Sequence, residues 1–286
     1  VAKRYTREEV LARLQGEIDA GRPVVAVGAG TGISAKFAER GGADLVGVYN
    51  SGRFRMDGHG SLAGLMPYGD ANGIVLELGA RTVAPVVREA PLIAGICGSD
   101  PTRDMDAFLR QLRELNFSGV MNFPTVGLID ADSKFRQELE DTGMGYDREI
   151  AALALARELG FFTMGYAFRP EEGMMVGAAG LDVVIAHMGL TRGGSIGSQL
   201  AETSVLEEAA ERVNAIAAAA RAERPDIILF AHGGPIAFPD DTQFIYEHTD
   251  AVGFLGASSV ERLPVEKPLE EATAAFKAKR LPGRSG

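Results

Sequence analysis

"DVVIAHMGLT" (182–191) and "DIILFAHGGP" (226–235) follow one pattern: an aspartate, an apolar run, then Ala-His and a glycine. Runs that are apolar at successive positions, not alternate ones, mark strands buried on both faces, as in a parallel sheet covered by helices. Similar runs are VVAVGAG (24–30), DLVGVYN (44–50), PLIAGIC (91–97), SGVMNF (118–123), FFTMGYA (161–167) and AVGFLGA (251–257). Helical segments such as 104–115, 147–159 and 204–223 lie between them. Eight strand–helix units predict a closed (β/α)8 TIM barrel, with an open doubly wound sheet as the alternative.

No composition break or linker divides the 286 residues, so one domain over 1–286 is expected. Hydrophobic residues at 46% suffice for a large core, and 36 glycines without low-complexity repeats suggest many tight strand–loop junctions. Near the start, Thr6 and Glu9 form a capping box, and Val10, Leu11, Leu14 and Ile18 recur at helical spacing. An additional N-terminal helix over about 6–20 follows from this. Ser204 and Glu207 suggest a second capping box, and the polar tail LPGRSG (281–286) is expected to be flexible.

A net charge of −10 disfavours nucleic acid and anionic membranes as partners, so any bound anion must meet a local cluster of donors. The single cysteine, Cys97, excludes an internal disulfide and a multi-cysteine zinc site. With no signal-peptide pattern and no membrane-spanning run, this predicts a cytoplasmic protein.

A barrel of this kind places its chemistry at the C-terminal ends of the strands. Three stretches after strands are long enough to act there as functional loops: 50–68, 123–146 and 188–203. The turn after the first strand offers Gly30, Thr31 and Gly32, whose N–H groups would suit a phosphate or carboxylate. Asn50 and Ser51 follow the second strand, with Arg53 and Arg55 just beyond as a candidate anion clamp. Asp100 is the carboxylate just past the third strand, a candidate general base or Mg²⁺ ligand, and equally suited to capping a turn. Asn122 and Tyr166 end the fourth and fifth strands, and Gly233 and Gly234 follow the seventh. Ser258 and Ser259 follow the eighth, at the position of this architecture's recurrent phosphate site. If Asp182 and Asp226 open equivalent strands, His187 and His232 reach the mouth side by side. General acid or base, oxyanion donor and metal ligand are all open to them. His59 and His248, on a loop and a helix, are expected to be bystanders. The absence of strand-end lysines and of paired strand-end carboxylates argues against Schiff-base, glycosidase and two-metal chemistry.

The motifs GAGTGISAKF, YNSGRFRM, GSLAGLMPYGDAN, NFPTVGLID, DTGMGYDREI, AHMGLTRGGSIG, HGGPI and GASSVERLPVE resemble the phosphoenolpyruvate hydrolase-like TIM-barrel family over about 20–279. The same domain forms the C-terminal half of plant tobamovirus-resistance proteins. The resemblance implies a barrel of the pyruvate/phosphoenolpyruvate-binding superfamily and a homo-oligomer. It also implies a small anionic substrate handled by hydrolysis or lyase chemistry. NFPT and GYAF stand where mutase-type relatives carry a Glu-Asp-Lys motif and clustered acids, leaving Asp100 as the match to a metal-associated acid. His187, His232 and Asp100 are thus the expected catalytic set, with the anion held by the turn and strand-end residues named above. The alternative is a non-catalytic anion-binding, protein-interaction or signal-transduction module using the same pocket.

Overall fold

A computed structural model describes residues 1–203 and 205–282. The Ser204 capping box and the end of the tail lie outside the described residues. In chain order the elements are α1 (Arg7–Asp19), β1 (Val24–Gly28), α2 (Gly32–Arg40), β2 (Leu45–Val48), α3 (Asn50–Met56), α4 (Ala71–Leu78), β3 (Leu92–Ile96) and α5 (Met105–Glu114). There follow β4 (Phe117–Asn122), α6 (Lys134–Asp141), α7 (Tyr146–Glu158), β5 (Phe162–Ala167), α8 (Pro170–Ala178), β6 (Val183–His187) and α9 (Gln199–Glu202). The chain continues through α10 (Leu206–Glu223), β7 (Ile228–His232), α11 (Pro239–His248), β8 (Gly253–Gly256) and α12 (Leu263–Lys277).

All neighbouring strands pair in parallel, and β8 returns to β1, closing the barrel in the order β1 to β8. The open-sheet alternative is thereby excluded. The three expected long loops are more structured than their glycine content suggests. They carry α3 after β2, α6 after β4 and α9 after β6.

Apolar side chains form two cores, one on each face of the sheet. Outside, strand residues such as Val46, Ala94, Val120 and Val184 meet the helices. Inside, Ala26, Leu45, Ile93, Met121, Met164, Ile185, Phe230 and Leu255 fill the barrel, and Val10 and Leu14 of α1 join them. Thr6 caps α1 as its sequence suggests, its side chain accepting from the Glu9 N–H while Glu9 reaches back. Arg7 docks this helix under the barrel by donating through Nε and Nη2 to Asp182 at 3.0 and 2.6 Å. Asp182 also accepts from the Thr163 N–H at 3.0 Å, so the aspartate opening "DVVIAH" serves the closed end of the barrel.

Toward the open end, glycines in the strands make room for an aromatic ring. A Cβ at Gly28 or Gly95 would overlap Tyr49, whose ring crosses the barrel above them. Among the described residues no helix is long and apolar enough to cross a membrane.

Candidate active site

Register places the two histidines together. β6 and β7 pair so that His187 lies opposite His232, and their ring centroids are 4.4 Å apart with planes at 83°. Both rings are more than nine-tenths buried. They line a cleft of about 410 Å³, counting space open to solvent, with Tyr49, Ser51, Arg55, Phe123, Tyr166 and Ser258. Phe168 packs on His187 at 4.5 Å, and Tyr166 lies 5.1 Å from His187 and 5.6 Å from His232.

The rings differ in what their Nδ1 atoms do. His187 Nδ1 accepts from the Gly189 N–H at 2.9 Å, so that nitrogen is bare and a neutral ring carries its proton on Nε2. His232 Nδ1 contacts the Leu255 carbonyl, which can only accept, so there the proton sits on Nδ1 and Nε2 is bare. Burial drives the His187 pKa well below the ordinary imidazole value, helped by His232 and Arg212. Burial likewise lowers His232 to about 4, against the opposing Leu255 hydrogen bond and with help from Arg55. At neutral pH the pair therefore presents one N–H donor and one lone pair to the same cleft.

Arg55 supplies the charge. It is 2% exposed, and its Nε and Nη2 donate to Glu261 Oε2 at 2.9 and 2.6 Å. Glu261 Oε1 accepts from the Gly30 N–H at 2.6 Å and also contacts the Ser34 hydroxyl. The Gly-rich turn that reads as a phosphate cradle is thus occupied by a carboxylate of the chain itself. Gly30 is also pressed against Gly52, where a Cβ would overlap the Gly52 carbonyl. Thr31 caps α2, and a Cβ on Gly32 would lie 2.8 Å from the Thr82 carbonyl oxygen.

Of the residues singled out in the sequence, Ser51, Tyr166, His187, His232 and Ser258 meet at the cleft. Gly233 and Gly234, with φ of 76° and 59°, make the turn below it. Arg53 points elsewhere and pairs with Glu77 at 2.9 Å, while its neighbour Arg55 faces inward. Asn50 donates to the Gly64 carbonyl at 2.8 Å, with its Oδ1 buried and unpartnered. Ser259 Oγ is likewise buried without a partner. Asn122 braces the scaffold by accepting from the Tyr166 N–H at 2.7 Å and donating to Glu149 at 2.8 Å. Asp100 does not join the cleft lining. Its carboxylate accepts from Thr102 at 2.6 Å and Asn72 at 3.1 Å, and pairs with Arg103 at 3.2 Å. Burial raises the Asp100 pKa, but these partners outweigh it and the net shift is downward.

A model of the family described as phosphoenolpyruvate hydrolase-like matches residues 9–279. The chain belongs to this family. Among curated relatives of the phosphoenolpyruvate hydrolase-like chain, the ToMV resistance protein Tm-1(GCR237) of Solanum lycopersicum is 51% identical over 273 residues, covering 95% of this chain and 36% of that protein. A "putative transcriptional regulatory protein", y4pA of Sinorhizobium fredii (strain NBRC 101917 / NGR234), is 32% identical over 277 residues, covering 96% of this chain and 44% of its own length. The chain thus spans less than half the length of these relatives. A phosphonopyruvate hydrolase solved with oxalate and Mg²⁺ has the same fold, at TM-score 0.59 and 20% identity, over 96% of this chain and 87% of that one.

Mg²⁺ favours hard oxygen donors, carboxylates above all. Among the described residues no carboxylate lines this cleft, and both oxygens of nearby Glu261 are already engaged by Arg55, Gly30 and Ser34. Among the described residues no three His, Cys, Asp or Glu side chains gather as a metal-binding group. This donor set does not fit Mg²⁺, so no step below runs through a metal.

Proposed function

We propose that the chain is an enzyme acting on a small keto-acid-like anion, of the phosphoenolpyruvate or phosphonopyruvate kind, by hydrolysis or lyase chemistry in the His187–His232 cleft. The observation carrying this reading is the opposite tautomers of the two adjacent imidazoles. Both reaction types remove a proton from an O–H, of water or of a substrate hydroxyl, while negative charge grows on a neighbouring oxygen. His232 Nε2 is placed to take that proton. His187 Nε2–H is placed to donate to the developing oxyanion. Arg55, Ser51 and Ser258 supply charge and hydroxyls for the carboxylate or phosphoryl end.

Turnover of phosphoenolpyruvate, phosphonopyruvate and related keto acids, followed by phosphate and pyruvate release, tests this reading. His232→Ala is expected to lower kcat by about 10²–10⁴-fold, the usual worth of a general base. His187→Ala should lower it comparably, as loss of an oxyanion donor does. Folded variants turning over at the native rate would remove both residues from the mechanism.

A second reading keeps the cleft as an anion sensor without turnover. Two observations favour it: the relatives named for virus resistance and transcriptional regulation, and the low basicity of His232. Thermal stabilisation by oxalate or phosphoenolpyruvate with no product formed over the whole substrate panel would select it.

A further inference from the structure

Among the described residues the buried carboxylates are Glu149, Glu172, Asp182, Asp241 and Glu261. An arginine answers each of the last four: Arg136 for Glu172, Arg7 for Asp182, Arg192 for Asp241 and Arg55 for Glu261. Glu149 of α7 is 1% exposed and forms no ion pair. Its partners are neutral: Oε2 accepts from Asn122 Nδ2 at 2.8 Å and Oε1 from the Val126 N–H at 2.7 Å. A carboxylate taken out of water without a counter-charge is costly, so what Glu149 holds matters.

What it holds is one wall of the cleft. Between its bonds to Asn122 and Val126 the chain turns and sets Phe123 into the lining, with Leu128 two residues further on. The Phe123 ring lies 5.1 Å from Tyr49 and 6.2 Å from Tyr166. Asn122 passes the constraint across the sheet, its Oδ1 accepting from the Tyr166 N–H at 2.7 Å. Tyr166 is the ring beside both histidines. A single side chain outside the cleft thus aligns the ends of β4 and β5 where they enter it.

Burial pushes the Glu149 pKa up to about 7, against hydrogen bonds from Thr125, Val126 and Asn122 and the charge of Arg136. The other ionisable groups that face it are Cys97 beyond β3 and Tyr146 on its own helix, both held neutral by burial. Arg136 of α6 is engaged by Glu140 and Glu172. Protonation sets an O–H among donors that already point at both oxygens, so one of them must turn away.

We propose that Glu149 is a positioning residue: its carboxylate holds the Asn122–Leu128 turn and the end of β5 in the shape that receives the anion, and gaining a proton slackens that wall. The role rests on the reading of the cleft as an anion site for its ligand, but not for its geometry.

Near-ultraviolet circular dichroism of the tyrosines, read without ligand, tests the geometry. In the native protein it should change across neutral pH with a midpoint of about 7. The buried histidines are silent there, since burial lowers both. Glu149→Gln should lose that transition and bind oxalate about tenfold more weakly, because its amide N–H must face another donor. Turning the Asn122 amide over only moves the clash to the Tyr166 N–H. Asn122→Asp/Glu149→Gln sets donors opposite acceptors again, the new amide donating to the new carboxylate, which still accepts from Tyr166. This pair should restore the tyrosine spectrum and the oxalate affinity. A native spectrum that stays flat through neutral pH overturns the proposal, whether or not the single variant folds. So does a Glu149→Gln variant that keeps the transition, or a folded double variant as weak as the single one. If the native protein binds no oxalate, the anion reading fails, and the spectra alone uphold or overturn the role of Glu149.

Discussion

The Nε2 atoms of His187 and His232 differ only because their Nδ1 atoms meet a backbone N–H in one ring and a backbone carbonyl in the other. Both imidazoles are depressed by burial, so between the folded values and the ordinary 6.5 the unfolded chain binds more protons. Stability from this source is full above about pH 6.5 and is lost as pH falls toward 4. The thermal midpoint should therefore fall over that window, and His187→Gln/His232→Gln should flatten the fall; an unchanged slope would show that other groups titrate there. An anion in the cleft favours the protonated rings, so oxalate should bind more tightly at pH 5.5 than at pH 8, with proton uptake on calorimetry in buffers of different ionisation heat. Affinity independent of pH would place the anion away from the histidines. The Arg55–Glu261 pair calls for a separate experiment. Glu261→Gln strands a buried guanidinium and should cost about 3–5 kcal/mol in urea unfolding, whereas replacing both partners by apolar residues of similar volume should restore most of it. The histidines were legible in the sequence because both end strands of one pattern. Arg55 was visible only as half of an arginine pair, since nothing local shows which of 53 and 55 a short helix turns inward. Glu261 was silent because its partner lies 206 residues away in the chain.

The strands could be read because burial on both faces leaves continuous apolar runs, a signal that survives ignorance of the partners. Helices α3, α6 and α9 were read as loops for the converse reason: short helices owe little to propensity and much to what they pack against. NSGRFRM has a glycine at its third position and becomes helical with Arg55 pinned by Glu261 and Gly52 pressed on Gly30. The aspartates opening "DVVIAH" and "DIILFAH" also part company. Asp182 is buried between Arg7, Thr163 and Arg224, whereas Asp226 is an exposed partner of Arg224. The outer helices make a sharper test of packing. Gly173 and Gly177 of α8 face α10 so closely that a Cβ at 173 would sit 2.7 Å from the Ile216 carbonyl oxygen, and one at 177 would overlap the Ala220 carbonyl. Gly177→Ala gains helix propensity but must push two helices apart. It should lower stability by about 1–3 kcal/mol, the usual cost of overpacking, and a neutral or raised denaturation midpoint would show that the interface gives way.

At the scale of the whole molecule, α1 packs under one end of the barrel and the His187–His232 cleft lies at the other. An apolar groove beside β1 and α2 is not remote from that cleft. Its lining includes Glu261, which holds Arg55, and Ser34, whose hydroxyl holds Glu261. The wall of the groove therefore reaches the cleft through one carboxylate. Ser34→Ala removes a donor to Glu261 without touching the cleft and should weaken oxalate binding several-fold while leaving the circular dichroism spectrum native. Oxalate binding at native affinity in that variant would show that the Gly30 N–H and Arg55 are enough to fix Glu261, and that the groove and the cleft are independent.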